Sequence, residues 1–344
     1  MKPVHWILSL VILVAPATTA SAVDRVRLVE GGSASGTIQK ITRDAVTIET
    51  IDRTIEVPVI QIRAVLFDDE PSQLGQARIN TENGGYETAL EKLNQAGDDR
   101  SAAKGIQQDL AYYRAYCAAR LAMGGEGEAT QAGRALTEFV RENPDSYHYY
   151  AAVEALGDLL VSIGREEQAE RTYAQIAKAP SLGLKARSAL LIGRSLQSRG
   201  EHEDALRRFD ALLAAKANEP GIAIIQQAAQ LAKAESLAAT GDLEGGLKLT
   251  RDAIRAASAQ ETAALAAGYN TLGRCYEEAD RSKDALFAYL HTDLLFNSDP
   301  ATHAEALAHL AKLWRSVGKP DEASDAAKRL RRQYAASPQA REVR

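Results

Sequence analysis

The chain has 344 residues, enough for two or three domains and for a sizeable buried core. Lys and Arg together number 41 against 46 Asp and Glu, a formal net charge of −5. That mild acidity speaks against a nucleic-acid partner, which requires a basic surface to meet the phosphates.

Residues 1–22 have the form of a secretory signal. Lys2 supplies the positive start, 6–14 (WILSLVILV) the apolar core, and Ala20-Ser21-Ala22 a small-x-small cleavage site. The competing reading is an uncleaved anchor, but so short a core falls well below the ~20 apolar residues of a spanning helix. No Cys lies near the cleavage site for lipid attachment, and no later stretch is apolar enough to span a bilayer. The expected mature chain is extracytoplasmic, periplasmic or secreted, with no stable membrane span.

Residues 23–70 have a different texture from all that follows. Segments 35–42 (SGTIQKIT), 45–50 (AVTIET), 54–57 (TIEV) and 60–67 (IQIRAVLF) are rich in Ile, Val and Thr. Val46 and Ile48, then Ile55 and Val57, alternate with polar residues, the period-two pattern of a half-buried strand. Gly31-Gly32, Arg43-Asp44 and Asp52-Arg53 stand where turns are required. Four or five short strands predict a small, strongly bent antiparallel sheet, closed or nearly so. The run G-T-I-x-x-I-T-x-D-A-V-T-I, followed by E-V-P-V-x-x-I, resembles small β-barrels of the SH3-like or Sm-like kind. RNA binding, which that resemblance would allow, fits poorly with an export signal and the lack of a basic stripe. The other reading is an N-terminal cap on the first repeat, because the ends of a solenoid need a polar outer surface. Asp68-Asp69-Glu70-Pro71 makes an acidic hinge.

Residues 71–335 are dominated by Ala, Leu, Glu, Arg and Gln, which favours helix. Turn centres recur at Gly84, Gly124, Gly164, Gly200, Gly241, Asp280 and Gly318, at intervals of 36 to 41 residues. Such a period signals stacked helical pairs. Seven pairs are predicted: 77–83 with 86–93, 107–123 with 126–142, one spanning 154–179, and four flanking the last four centres. Pro320 is expected to open the final helix, and 336–344 is a tail. Cys117 and Cys275 lie in first helices four repeats apart. Neighbouring helix axes are ~8–10 Å apart and a disulfide needs Cα atoms within ~7 Å, so free buried thiols are predicted.

These units resemble tetratricopeptide repeats. Leu156-Gly157, Ile192-Gly193 and Leu272-Gly273 match the family's large–small pair in the first helix, where the small residue admits the second helix. Tyr269 and Tyr276 flank the last pair at the family's bulky positions. Ala89, Ala169, Ala205, Ala285 and Ala323 stand five residues after a turn centre, with Leu93, Tyr173, Phe209, Tyr289 and Ala327 four further on. Unit five departs: Lys233-Ala234 replaces the pair and Thr250 the aromatic residue. The expected fold class is mostly α, a helical-repeat solenoid preceded by a small all-β module.

No catalytic constellation is present in the sequence. His202-Glu203 lacks the second His of a zincin helix. His303 and His309, six apart, face different sides of a helix. Gly124-Gly125-Glu126-Gly127 follows a helix rather than a strand, so it is a helix–helix turn and not a phosphate loop. The expectation is a protein without enzymatic activity, cofactor or metal.

The resemblance implies that first helices line a concave surface, with Arg114, Arg187, Arg194, Asn270, Arg274, Lys312 and Arg315 as candidate groove residues. Glu235, Glu277 and Glu305 would partly offset them. Such a row could clamp an acidic peptide or a chain-terminal carboxylate through charge-assisted bonds. The competing reading is a set of solvated charges paired along the helices. Tyr112, Tyr113, Tyr116, Tyr147, Tyr149 and Tyr150 form a second cluster, read chiefly as filler of the joint between units two and three. The basic run 328–332 is either a docking surface or a helix end whose charges suit the dipole. The function expected is an exported scaffold holding a peptide or partner helix. The alternative is a structural component that self-associates or bridges the envelope.

Overall fold

A computed structural model describes residues 23–97, 101–215, 219, 221–335 and 337–343. The segment read as a signal, 1–22, lies outside the described residues. Five strands come first: β1 (Asp24–Leu28), β2 (Ser33–Ile41), β3 (Ala45–Glu49), β4 (Thr54–Pro58) and β5 (Ile62–Leu66). All neighbours pair antiparallel in the order β4-β3-β2-β1-β5. β2 pairs with β1 through its first half and with β3 through its second, so it bends to serve both. Gly36 stands at that bend, where a Cβ would run into the Glu49 carbonyl. β1 escapes the strand pattern because Val26 alone of its residues is fully buried, between two exposed or half-exposed arginines. Ile60, expected within the last strand, lies instead in a 3-10 turn, Val59–Gln61.

Fifteen α-helices follow among the described residues. They form seven antiparallel pairs: α1 (Ser72–Glu82) with α2 (Tyr86–Ala96), α3 (Lys104–Gly124) with α4 (Ala129–Glu142), and α5 (Tyr149–Ser162) with α6 (Glu166–Tyr173). Next come α7 (Leu182–Ser198) with α8 (His202–Ala214) and α9 (Ile222–Ala239) with α10 (Leu243–Ala256). α11 (Thr262–Glu278) with α12 (Ser282–Leu295) and α13 (Pro300–Ser316) with α14 (Pro320–Gln333) complete them. A short α15 (Pro338–Glu342) occupies the stretch expected to be a tail. α6 ends at Tyr173, and a 3-10 turn over Ile176–Lys178 replaces the expected continuation.

The turn centres are where the backbone turns left-handed. Gly84, Gly164, Gly200, Gly241 and Gly318 have φ from 71° to 94°. Asp280, with φ 57°, is the one non-glycine among the described residues to do so. In the second pair the left-handed residue is Gly125, and Gly124 closes α3.

The repeat motif has a direct packing cause. A methyl group at Gly157, Gly193 or Gly273 would overlap the ring of Tyr173, Phe209 or Tyr289 respectively, each on the paired helix. Ala89, Ala169, Ala205, Ala285 and Ala323 are all fully buried at the crossing. Unit five reaches the same closeness from the other side. Ala234 and Thr250 are small and buried, and Gly246 of α10 brings its backbone against the Ala234 carbonyl.

The β-module is locked to the helices. One continuous core joins Val26, Val46 and Val65 to Leu74 of α1, Ile106 and Leu110 of α3, and Leu159 of α5. The 3-10 turn reaches further than the first repeat, because the Ile60 side chain lies against Gly183 at the start of α7 and Gly221 ahead of α9. At the other end, α15 packs on α13 and α14 and also rests against α3. The two ends of the solenoid therefore approach each other, and the α1–α2 turn faces residues 332–335 and 337–339 across a gap of about 400 Å3.

Candidate functional site

Contacts run α3–α5, α7–α9, α9–α11 and α11–α13 in addition to those within pairs, so the odd-numbered helices form an inner layer. Inside it lies a cavity of about 760 Å3. Its wall includes Ile60 and Arg63 of the β-module, Tyr116 and Arg120 of α3, and Glu154 and Arg187. Asp299–Ala301, at the start of α13, face it as well.

A row of paired charges follows the inner layer. Glu154 of α5 accepts two bonds from the Arg187 guanidinium of α7, one of them Nε to Oε2 at 3.0 Å. One turn along, Asp158 accepts the Tyr173 hydroxyl at 2.7 Å. Burial and the neighbouring Glu154 raise the Asp158 pKa to about 6. Glu235 of α9 accepts from Arg274 of α11 at 2.5 Å and from the Thr271 hydroxyl at 3.1 Å. Arg274 also pairs with Glu305 of α13. Glu277 accepts the Tyr289 hydroxyl at 2.6 Å and lies 2.7 Å from His309 Nδ1.

Arg194 breaks this pattern. It is exposed on α7 and makes no hydrogen bond or ion pair with any described residue. The inner wall nevertheless crowds it. Desolvation, with help from the Arg187 and Arg274 charges, pushes its pKa below the usual arginine range although Glu235 and Glu154 oppose this. A cation so placed lacks a counter-charge of its own.

The other predicted groove residues separate. Asn270 is fully buried, and its amide donates to the Thr302 carbonyl at 2.9 Å and to Glu305 at 3.1 Å, tying α11 to α13. Lys312 is exposed on the inner helix α13, and its charge acts on Glu277. Arg315 is exposed in the last turn of α13. Arg114 faces away from the row. It donates to the carbonyls of Leu93 and Gly97, both at 2.8 Å, at the C-terminal end of α2. It lines an outer groove of about 530 Å3 between α3 and α4.

The tyrosines do fill a joint, and the joint includes the β-module. Tyr112, Tyr113, Tyr147 and Tyr150 are buried, while Tyr116 and Tyr149 are half-buried. The Tyr150 hydroxyl donates to Asp44 at 2.9 Å, and Arg43 lies over the Tyr149 ring. Beneath them is a buried cluster that sequence reading missed. Asp109 of α3 accepts from Arg78 of α1 at 2.6 Å, from the Tyr147 hydroxyl at 3.1 Å and from His148 Nε2 at 3.0 Å. Arg78 also binds Glu70 of the hinge at 2.5 Å. Burial opposes the Asp109 charge, but His148 and Arg78 outweigh it and hold the carboxyl below its usual range. Burial pushes the His148 imidazole down against the pull of Asp109, to which Nε2 donates.

A second His–carboxylate pair, His303 with Asp293 at 2.8 Å, is likewise closed by an arginine, Arg329. In both cases the guanidinium saturates the carboxylate, which makes a structural clasp rather than a poised base. No group of three or more potential metal ligands occurs among the described residues. Cys117 and Cys275 are free and buried, and burial pushes their thiols up to about 11 and about 12. No helix among the described residues is long and apolar enough to cross a membrane.

No family model matches the chain, and a comparison with curated proteins finds no match. Among solved structures, a tetratricopeptide repeat protein from Parabacteroides merdae is similar to it, with TM-score 0.50 and 14% identity over 79% of this chain and 96% of that one. A Rap protein complexed with competence and sporulation factor follows, with TM-score 0.46 and 16% identity over 77% of this chain and 76% of that one. PilW, a type IV pilus biogenesis factor, gives TM-score 0.41 and 16% identity over 70% of this chain and 99% of that one. At such identities the likeness is one of fold: a tetratricopeptide-like helical solenoid, here preceded by a small β-module.

Proposed function

We propose that the protein is an exported, non-catalytic scaffold that holds a peptide or partner helix against its inner helical layer. The observation that carries this reading is Arg194, a solvent-accessible cation without a partner in a row whose other central charges are paired. An acidic side chain or a chain-terminal carboxylate would supply the missing charge, through bonds strengthened by desolvation in the concavity. Arg187 and Arg274 position that anion, while Glu154, Glu235 and Glu305 keep the site from becoming a general cation patch that attracts any polyanion. Export rests on the signal-like residues 1–22, and the mature chain would begin at Val23.

The test is fluorescence anisotropy of a labelled peptide set, half ending in a free carboxylate and half amidated. Binding restricted to anionic peptides, weakened about tenfold or more by Arg194→Ala and left unchanged by Arg315→Ala, is the expected result. Equal loss in both variants, or binding indifferent to Arg194, would remove the support for this reading. Amino-terminal sequencing of the chain recovered from the envelope fraction tests export separately.

A further inference from the structure

α12 differs from the other outer helices among the described residues. α4 turns Arg134 and Glu138 outward, α8 Arg207, α10 Lys248 and Arg255, and α14 Glu322 and Lys328. α12 carries its only outer charges, exposed Lys283 and half-buried Asp284, in its first turn, because Asp293 points inward to His303 and Arg329. In place of charge it presents Phe287, Leu294 and Leu295, which are 63%, 67% and 64% exposed. Their spacing, with half-buried His291 between them, forms one stripe along the helix. The stripe has a firm base: Tyr269 of α11 stacks on His291 with centroids 4.4 Å apart and on Phe296 at 5.5 Å.

We infer that this stripe is covered by a second copy of the chain, with α12 packed antiparallel on α12 about a two-fold axis near His291. Charge favours a copy as occupant. From Phe287 to Leu295 the stripe is uncharged, and a two-fold axis near His291 places the Lys283 side chains of the two copies at opposite ends. The face therefore meets itself without like-charge repulsion, whereas the outer faces of α8 or α10 would oppose their own charges. The antiparallel sense also sets Lys283, in the first turn of one helix, beside the carbonyl-rich C-terminal end of the other. Phe287 then lies opposite Leu294 of the partner subunit, and the ring fills the space between leucines. The stripe measures on the order of 400 Å2, the size of the largest patch on a typical monomer. Two stripes together cover roughly 800 Å2, short of the 1,200–2,000 Å2 of a stable pair, so the dimer is weak and reversible. The pairing uses the outer layer and leaves the inner row free, so it does not depend on the groove proposal.

Sedimentation equilibrium of the mature chain from about 5 to 500 µM is the test. The expected mass rises towards the dimer, with its midpoint at tens to hundreds of micromolar. Phe287→Glu and Leu294→Lys, each at an exposed site, shift that midpoint upward at least tenfold while the circular-dichroism melt stays unchanged. The double variant Phe287→Glu/Leu294→Lys regains the dimer, because only an antiparallel pair brings Glu against Lys. A wild-type chain that remains monomeric throughout overturns the proposal and leaves the stripe to a different partner. Association that ignores Phe287→Glu, or a double variant that stays apart, overturns the assigned surface or its antiparallel sense.

Discussion

Arg78 and Asp109 meet inside the protein with Nη2 and Oδ2 2.6 Å apart, their side chains 3% and 0% exposed. Because Arg78 also binds Glu70, this one pair holds the β-module hinge, α1 and α3 together. Removing one member leaves the other charged and buried. Asp109→Ala is expected to cost about 3–5 kcal/mol in urea unfolding and to speed proteolytic cutting near the hinge.

The same cluster sets the acid limb of stability. The Asp109 carboxyl is held below its usual range, so its contribution is complete above the unfolded value of ~3.9 and is lost as pH falls through the folded one. His148 is held below ~6.5, so the unfolded chain takes a proton first and stability begins to fall as pH drops through that value. Melting temperatures from pH 7.5 downward should decline from about pH 6.5, and His148→Gln should flatten the first part of the decline.

Asp158 titrates with the opposite sign. Its pKa is raised to about 6, so the folded chain binds the proton more tightly, and the charge penalty grows as pH rises from ~4 to 6. Asp158→Asn, which still accepts from Tyr173, should gain stability relative to wild type above pH ~6 and lose that advantage below pH ~4. Parallel melts of the two proteins across this window check the crossover.

Arg194 and Arg274 lie on the same inner layer and should respond differently to removal. Arg194→Ala leaves no partner behind and is expected to change stability by no more than ~0.5 kcal/mol. Arg274→Ala leaves Glu235 and Glu305 facing each other without the cation between them, at a cost of about 1–3 kcal/mol. Chemical denaturation of both variants distinguishes a binding group from a structural one.

Gly193→Val forces a side chain into the Phe209 ring and should cost about 1–3 kcal/mol. At the equivalent place in unit five, Ala234→Gly meets no aromatic ring and should cost only the ~1 kcal/mol of a helical glycine. Thermal melts of the pair test whether closeness there comes from Gly246 instead.

The turns were legible because each needs a left-handed residue, and glycine or Asp280 marks it in the chain. The Gly–aromatic contacts were legible through the repeat spacing. The inner pairs were not, since Arg187 and Glu154, or Arg274 and Glu235, sit 33 and 39 residues apart and meet only once adjacent repeats stack. Arg114 shows the same limit in reverse: a charged position on a first helix faces outward because α2 ends beside it and offers its carbonyls. β1 and α15 escaped notice because a strand with one fully buried residue and a five-residue helix carry too little periodicity.

The contact of α15 with α3 changes how the molecule should come apart. An open array of repeats behaves as a one-dimensional chain, fraying from whichever end is weaker. Here the last helix leans on the second repeat, so the C-terminal end cannot fray without also breaking contacts with α3. Closure of this kind couples distant parts of the chain, raising the cooperativity of unfolding and slowing folding through late, long-range encounters. The expected consequence is unfolding closer to the all-or-none transition of a globular domain than to the stepwise fraying of an open array.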